Sequence, residues 1–136
     1  MFKVIEHTAD IGLRIAAGDL NELFAEAARA LASLLVENLS EVQPVVKLDF
    51  DLKQDKLEDL LVDWLSEVLH ALDERCLVLS QFEVEVRPGG LRAHAAGEPL
   101  DLDRHRLGPE IKAVTYHGLV VRPTPEGWMA EVIVDL

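Results

Sequence analysis

Residues 46–53 read VKLDFDLK, and residues 57–72 read LEDLLVDWLSEVLHAL. The first stretch alternates apolar and charged side chains, which predicts a strand with one buried face and one solvated face. The second places its apolar residues, Trp64 among them, at helical spacing, with acidic residues on the other side. Asp55 and Glu58 stand three residues apart, so we expect this helix to begin near Asp55. A strand followed directly by an amphipathic helix indicates a mixed fold.

A second amphipathic helix is predicted upstream. Asp19 and Glu22 form an Asp-x-x-Glu variant of the capping box, and the apolar residues that follow keep helical spacing as far as Leu35. The polar residues fall on the opposite side, which predicts a helix with one core face.

The remaining apolar runs favour strands. They are Phe2–Ile5, Ile11–Ala16, Phe82–Val86, Leu91–Ala96, Ile111–His117, Leu119–Arg122 and Trp128–Val134. Gly118 is expected to separate two of these strands, because glycine commonly interrupts a strand pattern. The order of elements predicts an α+β fold, in which two amphipathic helices pack on a mostly antiparallel sheet. We expect a single domain over residues 1–136.

Composition and charge limit the classes of function. The formal net charge is −12, from 25 acidic and 13 basic residues, which disfavours binding to nucleic acid or to anionic membranes. Direct contact with RNA is therefore not expected. Cys76 is the only cysteine, so an intramolecular disulfide is excluded, and we expect a small buried residue there. With neither a signal-peptide pattern nor a long apolar run, the expected compartment is the cytoplasm, away from membranes.

The stretch His7–Gly12, HTADIG, concentrates polar groups at the connection between the first two strands. One interpretation is a turn in which Thr8 and Asp10 bond the backbone while Gly12 permits a close backbone approach. The other is a functional site. The local sequence leaves both open.

Three further stretches carry polar groups. The loop Gly97–His105 has three carboxylates and an imidazole, but it lacks the EF-hand spacing and is expected to be solvated. In Glu110–His117, EIKAVTYH, Lys112 and Tyr116 share one face of a strand; they form either a site or a sheet edge at which the lysine discourages pairing. The last residues, ending in Asp135 and Leu136, either fray in solvent or supply oxygens to a cation.

The sequence lacks the common catalytic motifs. It has no phosphate-binding glycine loop, no dinucleotide fingerprint, no paired cysteines or His-x-x-x-His for zinc, and no Gly-x-Ser-x-Gly. The chain therefore offers no obvious nucleophile for the hypothesis that it is an enzyme.

Five separated motifs nevertheless agree with one family. They are HTADIG at residues 7–12, LVDWL at residues 61–65, Gly97-Glu98, EIKAVTYH at residues 110–117, and the closing Asp135. In this order, and over essentially the whole length, the chain resembles the archease family.

The resemblance implies a role as an accessory protein of the GTP-dependent RNA ligase that joins exons in tRNA splicing and RNA ends in repair. The family promotes guanylylation of the ligase and its multiple turnover, and GTP is used by the ligase rather than bound by the accessory protein. The family is also described as chaperone-like and as a modulator of an RNA methyltransferase.

The resemblance also implies a divalent metal, with Ca²⁺ expected and Mg²⁺ or Mn²⁺ as alternatives. Its ligands match Asp10, Asp135 and Leu136, the last through main-chain or terminal oxygen. Lys112 matches a residue that acts on the ligase, whereas His7 and His117 are expected to support the site. Oxygen donors suit such hard cations. We therefore expect the first strand connection and the last strand to meet in space.

Two other functions remain as alternatives. One is a metal-dependent hydrolase that uses Asp10, His7 and His117. The other is a chaperone-like binding module for an RNA-modifying enzyme.

Overall fold

The computed structural model describes residues 1–6 and 9–136. In chain order, its elements are β1 Phe2–Glu6, β2 Asp10–Ala17, α1 Leu20–Leu35, a 3₁₀ turn Leu39–Glu41, β3 Val46–Lys53, α2 Leu57–Arg75, β4 Leu77–Arg87, β5 Gly90–Pro99, β6 Ala113–Thr124 and β7 Gly127–Asp135.

The strands form two antiparallel sheets, ordered β1-β2-β7-β6 and β3-β5-β4. Helix α1 packs on β2, β1 and β7 of the four-stranded sheet and on β4 of the three-stranded sheet. Helix α2 contacts α1, β6 and the strands β3 and β4. The predicted α+β class, with two helices on antiparallel strands, is confirmed, and the strands divide into two sheets that share the helices.

Helix α1 is buried on more sides than its sequence pattern predicts. Its buried residues are Leu23, Phe24, Ala25, Ala27, Ala28, Ala30, Leu31, Ala32 and Leu35. The expectation of one core face is too narrow, because this helix contacts both sheets and α2. The alanines on its additional faces allow the neighbouring elements to approach closely.

Trp64 of α2 joins four elements at the centre of the core. Its side chain is 0% exposed, and its Nε1 donates a hydrogen bond of 2.9 Å to the carbonyl oxygen of Phe24 in α1. Its ring meets Phe50 of β3 and Phe82 of β4 edge-on, with centroids 5.3 and 6.1 Å apart. The expectation that Trp64 belongs to the core is confirmed.

Both helices begin close to where the sequence places them. Asp19 caps α1, since its Oδ1 accepts a 2.8 Å hydrogen bond from the backbone N–H of Glu22. Helix α2 begins at Leu57, near Asp55 as expected, but its N-cap is Lys56, which makes no side-chain capping bond. Cys76 is exposed rather than buried, because it ends α2 in the left-handed conformation, with φ of 53°.

Strand β6 is continuous where two strands were predicted. It runs from Ala113 to Thr124, and its pairing with β7 shifts register between Thr115 and Val120. Gly118 lies inside this irregular segment with φ of +64°, a conformation that glycine adopts without strain. The glycine therefore marks a bulge within one strand rather than a break between two.

None of the helices in the described residues is long and apolar enough to cross a membrane.

We expect Trp64→Phe to lower the free energy of unfolding by about 1–3 kcal/mol, because the buried hydrogen bond from the indole to the Phe24 carbonyl is lost and the smaller ring fills less of the core. Urea denaturation of the purified protein measures this change. Trp128→Phe is the matched control, since Trp128 is only partly buried. Equal urea midpoints for the two variants would contradict the assigned role of the Trp64 hydrogen bond.

Candidate functional site

Two acidic residues from opposite ends of the chain lie side by side in the four-stranded sheet. Asp10, at the start of β2, is the cross-strand partner of Asp135, at the end of β7. Next to them, the backbone N–H of Leu136 donates to the carbonyl oxygen of Ala9 at 3.2 Å, and that of Lys112 to the carbonyl oxygen of Asp135 at 2.8 Å. The start of β2 and the last strand therefore meet, as the resemblance implies.

Both carboxylates lie on the face of the sheet that points away from the helices. Their neighbours Ile11 and Val134 are buried at 4% and 0% exposure, and these two residues pair with each other on the inner face. Because side chains alternate along a strand, Asp10 and Asp135 share the outer face. The Cβ atoms of such partners lie about 4.5–5.5 Å apart. We call these two residues the acidic pair.

The acidic pair brings two like charges together, whereas the next charged pair on the same face has opposite charges. Four residues along β2, Arg14 faces Glu131 across the same two strands, and its Nε lies 3.0 Å from the Glu131 Oε1. Opposite charges facing each other stabilise a sheet, whereas like charges destabilise it. In residues 1–6 and 9–136, neither carboxylate of the acidic pair has a basic group within 4.0 Å.

Oxygen donors dominate this corner of the sheet. The acidic pair supplies two carboxylates, and Leu136 directly follows Asp135 with its N–H bonded to the Ala9 carbonyl. This donor set fits a hard cation of the Ca²⁺ or Mg²⁺ type, since such ions bind oxygen ligands and offset the repulsion between carboxylates. Whether a metal binds at Asp10, Asp135 and Leu136 stays a prediction.

The other residues singled out in the sequence have different placements. Lys112 is exposed, and its backbone is bonded to that of Asp135. His117 is exposed on β6, with its N–H bonded to the Thr115 hydroxyl at 3.3 Å. Within the described part of the chain, no three His, Cys, Asp or Glu side chains gather as metal ligands, so His117 does not join the acidic pair. His7 and Thr8 lie outside the described residues.

Tyr116 links two of the motifs that carry the family resemblance. It lies on β6, which packs on α2, and it is exposed; the desolvation it does undergo and the negative charges of Asp59 and Asp63 raise the pKa of its phenol. Asp63 belongs to the LVDWL motif, and Tyr116 belongs to EIKAVTYH. The two motifs are therefore neighbours in space, where α2 packs on the edge strand β6.

The loop expected to be solvated holds a buried hydrogen-bonded pair instead, Glu98 and His105. The side chains of Glu98 and His105 are 7% and 1% exposed, and His105 Nε2 lies 2.7 Å from Glu98 Oε1. The backbone N–H of Asp101 donates to His105 Nδ1 at 2.9 Å. Since Nδ1 accepts, Nε2 must carry the proton that bonds Glu98. Arg104 donates to the same carboxylate oxygen at 3.0 Å, so these residues form a structural lock rather than a calcium loop.

Asn38 completes this lock and was missed in the sequence. It is 6% exposed, accepts from the N–H of Arg106 at 2.9 Å, and donates to the carbonyl of Arg104 at 2.8 Å. It thereby holds the loop after β5 against the end of α1. The sequence does not reveal this role of Asn38, because Arg104 and Arg106 lie more than sixty residues away, although Asn38 also donates to the nearby Glu41.

Gly12 does not have the role that the sequence predicted. A Cβ placed on it would meet Ile5 Cβ at 3.5 Å and the Ile5 carbonyl oxygen at 3.7 Å, which are ordinary contacts. Its φ is not positive. The expectation of a close backbone approach at Gly12 is therefore wrong.

Comparisons with known proteins agree over nearly the full chain. A family model described as "Archease protein family (MTH1598/TM1083)" matches residues 2–136. The chain is 39% identical to "Protein archease" of Methanopyrus kandleri, covering 97% of this chain and 96% of the relative. It is 36% identical to "Protein archease" of Pyrococcus furiosus, with coverages of 96% and 95%.

Solved structures show the same fold. The solution structure of Methanobacterium thermoautotrophicum protein 1598 superposes with a TM-score of 0.81 at 28% identity, covering 99% of this chain and 98% of the other. A Thermotoga maritima archease, described as a "possible chaperone", has a TM-score of 0.67 at 22% identity, with coverages of 100% and 98%. At that identity, the second likeness concerns the fold alone.

The buried lock predicts a specific acid sensitivity. Hydrogen bonds from Arg104, and then from His105, lower the pKa of Glu98. The stabilisation from ionised Glu98 is thus complete above its unfolded pKa of about 4.3 and is lost as the pH falls through the lowered folded value. We expect Glu98→Gln to be less stable than wild type at neutral pH and to lose less stability between neutral and acid pH.

Urea unfolding across this pH range measures the effect. Glu126→Gln, at an exposed turn, serves as the control and should follow the wild-type profile. Parallel acid profiles for wild type and Glu98→Gln would show that this carboxylate does not contribute in the way proposed.

Proposed function

The chain belongs to the archease family, and from that premise we propose that it is a non-catalytic accessory protein of the GTP-dependent RNA ligase. In this role it promotes guanylylation of the ligase and supports multiple turnover in tRNA splicing and RNA repair. The acidic pair is the observation that carries the proposal. It unites Asp10 of HTADIG with Asp135, two separated motif residues, at one exposed corner of the sheet.

The arrangement supports a binding role better than a catalytic one. Within residues 1–6 and 9–136, no histidine or cysteine gathers with the acidic pair, and the N–H of His117 bonds to Thr115 instead. Asp10, Asp135 and Leu136 would hold the cation. When bound, a divalent cation would supply the positive charge that the two facing carboxylates lack.

Lys112 is the residue of this corner that would reach the partner. Its backbone hydrogen bond to Asp135 fixes its position relative to the acidic pair, while its side chain is exposed to solvent. A lysine is a mobile point charge that pairs well with phosphate groups or carboxylates. We therefore propose that Lys112 acts on the ligase, whereas the acidic pair holds the metal.

Titration of the isolated protein with Ca²⁺ tests the metal site. We expect Asp10→Asn and Asp135→Asn each to weaken Ca²⁺ binding by about tenfold or more, which corresponds to ~1.4 kcal/mol. Asp55→Asn removes an equal charge from an exposed position before α2, so its affinity should equal that of wild type. Calorimetry measures all three variants.

If Asp55→Asn lost as much Ca²⁺ affinity as Asp10→Asn, the effect would come from the net charge of the protein. The proposed metal site would then be contradicted. A chain extended by a few residues beyond Leu136 adds a second arm to the titration. Weaker binding by the extended chain would support a terminal oxygen ligand, whereas unchanged binding would restrict Leu136 to its carbonyl or exclude it.

Guanylylation of the cognate ligase tests the activity. With GTP, divalent metal and purified ligase, we expect wild-type protein to increase the guanylylated ligase and the yield of joined RNA. Lys112→Ala should lower this stimulation by about tenfold while Ca²⁺ binding is kept, because it removes a charge that acts on the partner. Lys53→Ala, on the other sheet, is the matched control. If wild-type protein does not stimulate its cognate ligase, the proposal fails.

A chaperone-like role is the second candidate, because the family model that matches this chain is described with the Thermotoga maritima protein that carries the words "possible chaperone". Suppression of aggregation of a client enzyme would support it. If that suppression is unchanged in Asp10→Ala and Asp135→Ala, it is independent of the proposed metal site.

A further inference from the structure

A shallow depression lies on the outer face of the four-stranded sheet, beside the acidic pair. It has a volume of about 170 Å³, and the side chains or glycines around it are Ile5, Gly12, Arg14, Gly118, Glu131 and Ile133. Gly12 lies between Ile5 and Ile133, its register partners on the two neighbouring strands. We call this feature the Gly12 depression.

The fold itself does not require a glycine at position 12. Strand β2 pairs without interruption with both neighbours at this point, and an added Cβ would make only ordinary contacts with Ile5. By contrast, a Cβ on Gly97 would lie 1.8 Å from the carbonyl oxygen of Val78. A glycine inside a regular strand is less stable than alanine and often marks a place where an outside group approaches closely.

The chemistry around the depression selects an aliphatic group. Ile5 and Ile133 are half-buried aliphatic walls, and Gly12 leaves the floor open. The Arg14–Glu131 ion pair borders the depression, which resembles the apolar centre and polar rim of a protein interface. A volume of about 170 Å³ holds one aliphatic side chain rather than a large ligand.

The charge of this chain indicates which kind of segment would carry that aliphatic group. The acidic pair lies two residues along the strands from Gly12 and Ile133, a distance of about 7 Å. The chain carries a net charge of −12, which favours a basic segment and disfavours the phosphates of RNA.

We propose that the Gly12 depression seats an aliphatic side chain of the partner ligase, carried on a basic segment that the net negative charge of this chain attracts. This inference rests on the proposed function, because the ligase is the partner it names. It assigns to Gly12 a role in recognition that is separate from metal binding.

Binding of the purified ligase by calorimetry tests the proposal. We expect Gly12→Leu to fill the depression and weaken binding by about tenfold or more. Gly12→Ala should weaken it less, because a methyl group fills less of the space. A buried anchor side chain that loses its pocket accounts for a large share of the binding free energy in such interfaces. Gly18→Leu and Gly18→Ala are matched controls, since nothing lies within 4 Å of a Cβ at that position. They should bind as wild type does.

Three controls keep the results separable. Ca²⁺ affinity and the urea midpoint of Gly12→Ala should remain close to those of wild type. Binding of wild type should weaken as salt is raised, because charge contributes to it. Gel filtration tests whether a second copy of this chain occupies the depression, and titration with single-stranded RNA tests whether RNA does.

The outcomes distinguish the two proposals. If the ligase binds wild type and Gly12→Leu equally, the depression is not the recognition site, although the accessory function stands. If the ligase does not bind wild-type protein, the accessory function fails and this inference fails with it. Loss of self-association or of RNA binding in Gly12→Leu, with ligase binding intact, would assign the depression to a second copy or to RNA and overturn the proposal.

Discussion

The pairing of β2 with β7 is the constraint on which the rest of the molecule depends. Its register is set by burial, since Ile11, Leu13 and Ile15 face Val134, Val132 and Ala130 on the side covered by the helices. A slip by one residue would turn charged residues such as Arg14 into the core, so one register is strongly favoured. The same register places Asp10 opposite Asp135. The hydrophobic core thereby determines the geometry of the candidate site.

The two faces of this sheet have different roles: one contributes to stability, and the other carries the candidate site. The inner face gains free energy by burying aliphatic side chains, while the outer face of the same strands carries two carboxylates side by side and an open glycine. Neither outer feature helps the fold, because like charges repel and glycine is a weak strand former. Deviations of this kind concentrate where proteins bind other molecules.

The sequence predicts features that repeat along the chain and misses those that depend on distant partners. Alternation identifies β3, helical spacing places Trp64 in the core, and Asp19 caps α1 as expected. The Glu98–His105 lock was missed because its burial depends on Arg104 and Asn38 as well as on the loop. Cys76 was misplaced because its conformation follows from where α2 ends. The meeting of Asp10 and Asp135 came from the family resemblance, since no local pattern spans the chain.

The position of β7 also orders the events of folding. It is the last strand in the described chain, and it inserts between β2 and β6. During synthesis the β1–β2 hairpin therefore leaves the ribosome with one edge of β2 unpaired. That edge stays unpaired until β7 has been synthesised. Such distant pairing carries a loop-closure cost and slows folding. Until β7 arrives, the open edge of β2 is exposed to other chains. The corner that gathers Asp10 and Asp135 is thus completed only after β7 has paired with β2.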